Sequence, residues 1–226
     1  MGIPIRRWAT ALFAAALMAP FVLHAGELWE HVMSSEGVDV YQRDAEEIGA
    51  IAFRGEMVAD VHIGQLITIF IDPDERPHWV YRYGEDEMLH RDETREMAWS
   101  ESYWVRVDMP FPTTDRDYVF HTEYEFDEDE RVVYATIESV EDERMPERDC
   151  CVRAQSVTHY TVEPVIGEEK TRITVEVETD LGGALPDWIT RRAEREWPVE
   201  TLTNLVDRAQ AEGVEIDERV SDWHQE

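Results

Sequence analysis

Along most of the chain apolar and polar residues alternate, and in a few stretches the apolar ones recur every third or fourth position. Alternation marks a half-buried strand, and the longer spacing marks one face of a helix. The cleanest alternation is 171–179, with Ile173, Val175 and Val177 on one side and Arg172, Thr174, Glu176 and Glu178 on the other. In 99–107 the odd positions Trp99, Tyr103, Val105 and Val107 share a face, with Glu101 as the charged exception. In 118–126 the even positions are Tyr118, Phe120, Thr122, Tyr124 and Phe126. Val133, Ala135 and Ile137 share a face of the next strand, and 152–162 reads as another. Nearer the N-terminus, 38–43 and 51–59 read as strands separated by 46–49. One wet and one apolar face per strand is the antiparallel pattern.

Helical spacing appears at Ile63, Leu66, Ile67 and Phe70, which predicts an amphipathic helix over 61–70 ended by Pro73 and Pro77. Residues 26–35 predict a short helix with Leu28, Trp29 and Val32 on one side. A long helix is predicted over 187–211, with Trp188, Ile189, Ala193, Trp197, Leu202, Leu205, Val206 and Ala209 as its apolar stripe. Pro198 should kink it. From Glu212 the chain is acidic and is expected to be loosely held. No internal repeat or long linker interrupts the pattern, so one α+β domain is expected: a strongly curved antiparallel sheet gripping one long helix. Aromatics on the sheet that core residues leave uncovered would line a cavity.

The first 25 residues stand apart. Arg6 and Arg7 precede an apolar stretch from Trp8 to Leu23 that ends at His24-Ala25. This is the pattern of a secretory signal peptide, and it predicts an exported protein in the periplasm or outside the cell. The alternative is an uncleaved anchor, but the stretch is short for a spanning helix and Pro20 interrupts it.

Composition narrows the function. The 226 residues carry a formal net charge of −30, and Lys170 is the one lysine among 21 basic residues. Such a surface repels phosphate backbones and anionic headgroups, which excludes nucleic acid as a partner. An acidic, lysine-poor surface also suits high salt. The run 127–130 has neither the spacing nor the glycine of a calcium loop and reads as a solvated hairpin turn. Cys150 and Cys151 are adjacent, so they form no disulfide framework, and neighbours bridge each other only in a strained ring. The eight histidines are scattered singly, and no metal site or cofactor is expected.

Several short segments, in order, resemble the StAR-related lipid transfer (START) family. Ala52-Phe53-Arg54-Gly55-Glu56 is similar to the family's FRGE strand, and Arg76-Pro77-His78-Trp79 to the turn after its second helix. Pro110-Phe111-Pro112 through Asp115-Arg116-Asp117-Tyr118 resembles its PWPxxxRDF segment. Cys151-Val152-Arg153-Ala154 sits where the family has a VR strand. Gly182-Gly183-Ala184-Leu185-Pro186, followed by Arg195-Glu196-Trp197-Pro198, resembles PGGxxP … REYP. The resemblance spans about residues 27–211.

It implies the helix-grip (START/Bet v 1-like) fold and an internal tunnel for one hydrophobic ligand, a lipid or sterol, covered by the C-terminal helix. The implied contacts are Trp99, Tyr103 and Val105, then Phe120, Thr122 and Tyr124, and from the helix Trp188, Ile189 and Trp197. Several family members pair an arginine at the position of Thr122 with a buried acid on the preceding strand. Here those places hold Thr122 and about Tyr103, which predicts a less charged cavity floor with Glu101 as the nearest acid. Arg116 and Asp117 are expected to clasp the start of the strand, and Asp115 to stand at the cavity mouth within reach of a headgroup.

Three functions follow: a monomeric, non-catalytic carrier or sensor with transient membrane contact, a helix-grip enzyme such as a cyclase or hydrolase, or a structural module whose cavity has collapsed. An enzyme needs convergent acid and base groups in the cavity. His121 and His159 alternate with the apolar residues and are expected to face away from it.

Overall fold

The computed structural model describes residues 29–49, 51–94, 96–183, 185 and 187–225, with the backbone alone for 187–194. The expected signal peptide and Leu28 lie outside the described residues, as do Ala184, Pro186 and the side chains of Trp188 and Ile189. Among the described residues ten strands form one sheet: β1 (Glu30–Ser35), β2 (Val38–Asp44), β3 (Ile51–Ala59), β4 (Tyr83–Asp92), β5 (Ala98–Val107), β6 (Asp115–Asp127), β7 (Val132–Ser139), β8 (Cys151–Arg153), β9 (Gln155–Pro164) and β10 (Thr171–Asp180). Helices α1 (Ile63–Phe70) and α2 (Arg76–Trp79) fall between β3 and β4, and α3 (Asp187–Ala209) follows β10. The strand order is β1-β2-β3-β10-β9-β7-β6-β5-β4, with β8 added beside β6. All pairings along that path are antiparallel, and β8 alone runs parallel to its partner.

The alternation places the core as expected. Ile173 and Val175 on β10, Val133 on β7 and Val162 on β9 are fully buried, while their neighbours Arg172 and Tyr134 face solvent. On α1, Ile63, Leu66, Ile67 and Phe70 are all buried. On α3, Leu202, Leu205 and Ala209 seal the helix against α1 and the sheet. The helix crosses the sheet at Gly55, where a Cβ would stand 2.8 Å from Pro198 Cβ and 3.3 Å from Leu202 Cδ1. The glycine of the FRGE segment is therefore a matter of close approach, and Pro198 sits at the contact. The run 127–130 is the turn between β6 and β7, closed by Asp127 accepting from the Glu130 N–H.

Several expectations are corrected. The short helix expected over 26–35 is strand β1 from Glu30 onward, with Trp29 in no regular element. Glu36 and Gly37 both have positive φ, 51° and 80°, and so form a two-residue hairpin turn into β2. Trp29 packs on no helix face; its ring lies under the guanidinium groups of Arg43 and Arg54, at 4.8 and 4.4 Å. Pro73 and Pro77 do not simply end a helix. Pro73 opens a 3-10 turn, and Pro77 occupies the first turn of α2, where a missing N–H costs nothing. The single strand over 152–162 is two, broken where the Ala154 N–H donates to Asp117 O and the chain crosses from β6 to β7. Cys150 and Cys151 are joined to each other at the start of β8.

The acidic tail is not loose. Val220 and Trp223 are buried in the main core. His224 Nε2 accepts from the Ile63 N–H at 3.0 Å, Asp217 N–H donates to Gly64 O, and Arg131 donates to the carbonyls of Trp223 and Gln225. The tail thus completes the N-terminal end of α1, whose cap is His62, with Nδ1 accepting from the Gly64 N–H.

Candidate functional site

Between the concave face of the sheet, α2 and α3 lies a chamber of about 150 Å³. Its floor is Tyr103 and Val105 from β5, Tyr118, Phe120 and Tyr124 from β6, and Tyr160 from β9. Phe70, Arg76 and Trp79 wall one side, and Trp197 and Thr201 of α3 close it. Ile51, Arg82, Met109 and Leu181 are partly or wholly exposed and mark the mouth. The rings pack on one another: Tyr118 stacks on Phe120 at 4.9 Å between centroids, and Tyr103 lies 5.8 Å from Phe120. Burial raises the hydroxyl pKa of Tyr103, Tyr124 and Tyr160, so all three keep their protons.

Of the expected contacts, Tyr103, Val105, Phe120, Tyr124 and Trp197 line the chamber. Thr122 is fully buried but lies outside the lining, a short side chain between the larger Phe120 and Tyr124. Trp99 faces inward too, yet β5 runs past the chamber there. Its ring stacks on Tyr124 at 5.0 Å and lies 5.3 Å from Phe126, which in turn meets Trp223, so side chains fill that end. Asp115 does not face the chamber: its carboxylate accepts from the Met109 N–H at 2.9 Å and ties down the loop that carries Phe111. Trp188 and Ile189 lie outside the described side chains.

The charged floor is the main departure. Glu101 is fully buried behind the lining, and Arg76, itself buried, donates to its Oε1 at 2.6 Å. Arg76 also donates to Asp86 Oδ2 at 2.5 Å, and its guanidinium lies 3.9 Å above the Tyr103 ring. Tyr124 donates to Glu101 at 3.3 Å, and Arg91 stands 3.6 Å from its other oxygen. Burial works against the Arg76 charge, but Tyr103, Glu101 and Asp86 outweigh it and raise its pKa. Burial also pushes the Glu101 carboxyl up, against the pull of Arg76 and Arg91. The floor expected to be less charged is therefore backed by Glu101, the acid expected nearest to it, and this acid is paired with an arginine supplied by α2 and not by the strand beside it.

Arg116 and Asp117 form the expected clasp. Arg116 is 2 % exposed and donates to the carbonyls of Thr114, Leu181 and Gly182, joining the start of β6 to the segment that leads into α3. Asp117 accepts from Trp104 Nε1 at 2.7 Å and from Arg153 at 2.9 Å. His121 and His159 bond Ser102 and Thr136 on the convex side, away from the chamber. Sequence reasoning missed Tyr118, Ser156, Thr158 and Tyr160, although the alternation 156, 158, 160 is legible in β9. It also missed Arg76, Trp79 and Thr201, for which periodicity gives no signal.

A curved sheet closed by a long C-terminal helix over an aromatic chamber defines a helix-grip protein with an internal cavity. The chain belongs to the START domain family, whose model matches residues 15–212. It is 26% identical over 195 residues to an uncharacterized protein of Pseudomonas aeruginosa, covering 86% of this chain and 93% of that one. It is 23% identical over 188 residues to the phosphatidylcholine transfer protein of Mus musculus, covering 82% of this chain and 85% of that one. Among solved structures, the STAR-related lipid transfer protein from Xanthomonas axonopodis superposes with a TM-score of 0.69 at 23% identity, covering 81% of this chain and 99% of that one. Human StAR-related lipid transfer protein 5 gives 0.71 at 18% identity, covering 80% and 86%.

Proposed function

We propose that the protein binds and carries one hydrophobic molecule, a lipid or sterol, in the chamber without chemical change. The observation that carries this reading is the enclosed aromatic and aliphatic lining within a START fold. Each Å² of apolar ligand surface taken from water contributes roughly 25 cal/mol. The described lining supplies arginine, tyrosine, serine and threonine; among those residues there is no histidine, cysteine or carboxylate to act as acid or base. The mouse relative's name, a phosphatidylcholine transfer protein, supports a lipid as the ligand. Phe111 is 98 % exposed at the tip of the loop beside Met109, and supports brief contact of the mouth with a membrane through an apolar tip. Export to an envelope compartment, read from the N-terminal pattern, belongs to the same proposal.

One observation favours a second reading. At about 150 Å³ the chamber is smaller than the roughly 300 Å³ at which ligand pockets begin. An interaction module with a collapsed cavity would look like this. A carrier must instead widen on loading, by movement at the mouth or of α3. Native mass spectrometry of protein purified from its own host, with solvent extraction, separates the two. The carrier reading expects a one-to-one adduct that extraction identifies as a lipid. A bare mass, together with no uptake from a lipid panel, supports the module.

A further inference from the structure

Two buried polar atoms bear on what the chamber holds. Thr201 on α3 is fully buried, and its hydroxyl has no hydrogen-bond partner among the described residues. A helical threonine ordinarily bonds back to the carbonyl four residues earlier, here that of Trp197, and this one does not. Trp79 on α2 is 5 % exposed, and its indole N–H is likewise without a partner. Both side chains line the chamber. Leaving a buried polar group unsatisfied forfeits its hydration with nothing in return, and native proteins keep few such groups.

The indole can only donate, and a hydroxyl donates equally well, so the shared complement is an acceptor. The acceptor is best uncharged. The buried cation of the chamber, Arg76, already donates to Asp86 and Glu101, and an anion brought to it would face both carboxylates.

We propose that Trp79 Nε1 and Thr201 Oγ1 form a polar subsite in the chamber that takes a neutral hydrogen-bond acceptor, a carbonyl, ester or ether oxygen on an otherwise apolar skeleton. The subsite rests on the carrier reading and narrows it to a ligand whose buried part carries such an oxygen. Thr201 and Trp79 are then residues of ligand specificity, and their open bonds in the free protein favour the loaded one.

The test uses three dyes of one skeleton: a propionyl dimethylaminonaphthalene ketone, the same ring without the carbonyl, and the corresponding naphthoate anion. The ketone's emission moves to the red when its carbonyl accepts a hydrogen bond. Wild-type protein should bind the ketone more tightly than either analogue, with red-shifted emission. Thr201→Val and Trp79→Phe should each weaken ketone binding about threefold to tenfold. Both should move its emission to the blue and leave the carbonyl-free dye unchanged. Thr201→Val should melt no lower than wild type, since it removes an unsatisfied group, and Trp79→Phe serves as the independent second variant. Equal loss for ketone and carbonyl-free dye, or no loss for either, overturns the subsite while leaving the carrier reading intact. If the wild type binds none of the dyes and no lipid, the carrier reading falls and the subsite with it.

Discussion

Arg76 of α2 donates to Glu101 Oε1 of β5 at 2.6 Å, and both side chains are buried. The pair fastens the short helix to the sheet at the floor of the chamber. Breaking a buried pair strands the remaining charge. Glu101→Leu should cost about 3 kcal/mol, the low end for such a loss, because Asp86 still holds Arg76. Adding Arg76→Met should restore at least half of it, since the buried cation is then gone and Arg91, which is partly exposed, keeps its pairing with Glu93. Urea unfolding of the single and double variants measures both. A double variant no more stable than Glu101→Leu alone would show that the charge is not the cause.

Arg116 makes a second long-range tie, to three carbonyls on two segments. A lysine ammonium cannot reproduce that fork. Arg116→Lys should lower stability by about 2 kcal/mol, a Tm fall of about 4–8 °C in a domain of this size. Because Arg116 is outside the lining, ligand choice should not change. Altered selectivity at an unchanged Tm would move Arg116 from clasp to binding site.

Gly55 lets α3 rest directly on β3. Gly55→Ala should cost about 1–3 kcal/mol by overpacking against Pro198 and Leu202. It should also speed amide exchange in α3 relative to α1. An unchanged urea midpoint would mean that the helix can shift to accept the methyl group.

The docking of the tail should weaken in acid. Burial is the larger cause, and neighbouring His224 the next, of a lowered His62 pKa; Glu169 and the Ser221 backbone pull the other way. A histidine whose folded pKa lies below its unfolded value gives its full stability above the unfolded value, near 6.5, and loses it as pH falls through the folded one. His224, which holds the tail by accepting from the Ile63 N–H, packs its ring 4.5 Å from that of His62, so the cap and the tail respond together. Hydrogen exchange of 212–225 should therefore quicken between neutral and mildly acid pH. His62→Asn keeps a capping acceptor that gains no proton and should flatten the response. Acid-independent exchange in the wild type would rule the histidines out.

Strands β2, β3, β5, β6, β7, β9 and β10, with α1 and the long helix, were legible because each buries one periodic face, and period is what a sequence displays; β1 and β4, at the two edges of the sheet, bury too little to show it. Depth along a strand is not displayed. Trp99 and Tyr103 share a face of β5, yet one fills the core and the other floors the chamber. The floor's charge was hidden for a different reason. Arg76 and Glu101 are 25 residues apart on different elements, and only the folded sheet brings them together. The hairpin at Glu36-Gly37 could have been read, since an unbroken helix over 26–35 had to overlook a two-residue turn at its end.

Val220 and Trp223 fill the end of the sheet where Trp99 and Phe126 lie, away from Met109 and Arg82 at the mouth. The last residues are thus a stopper and not a fringe. A chain ended after residue 211 would bare the apolar seat of Trp223 beside Phe126 and strip the Ile63 N–H of its acceptor, so the first helix would lose its anchor before the chamber lost a wall.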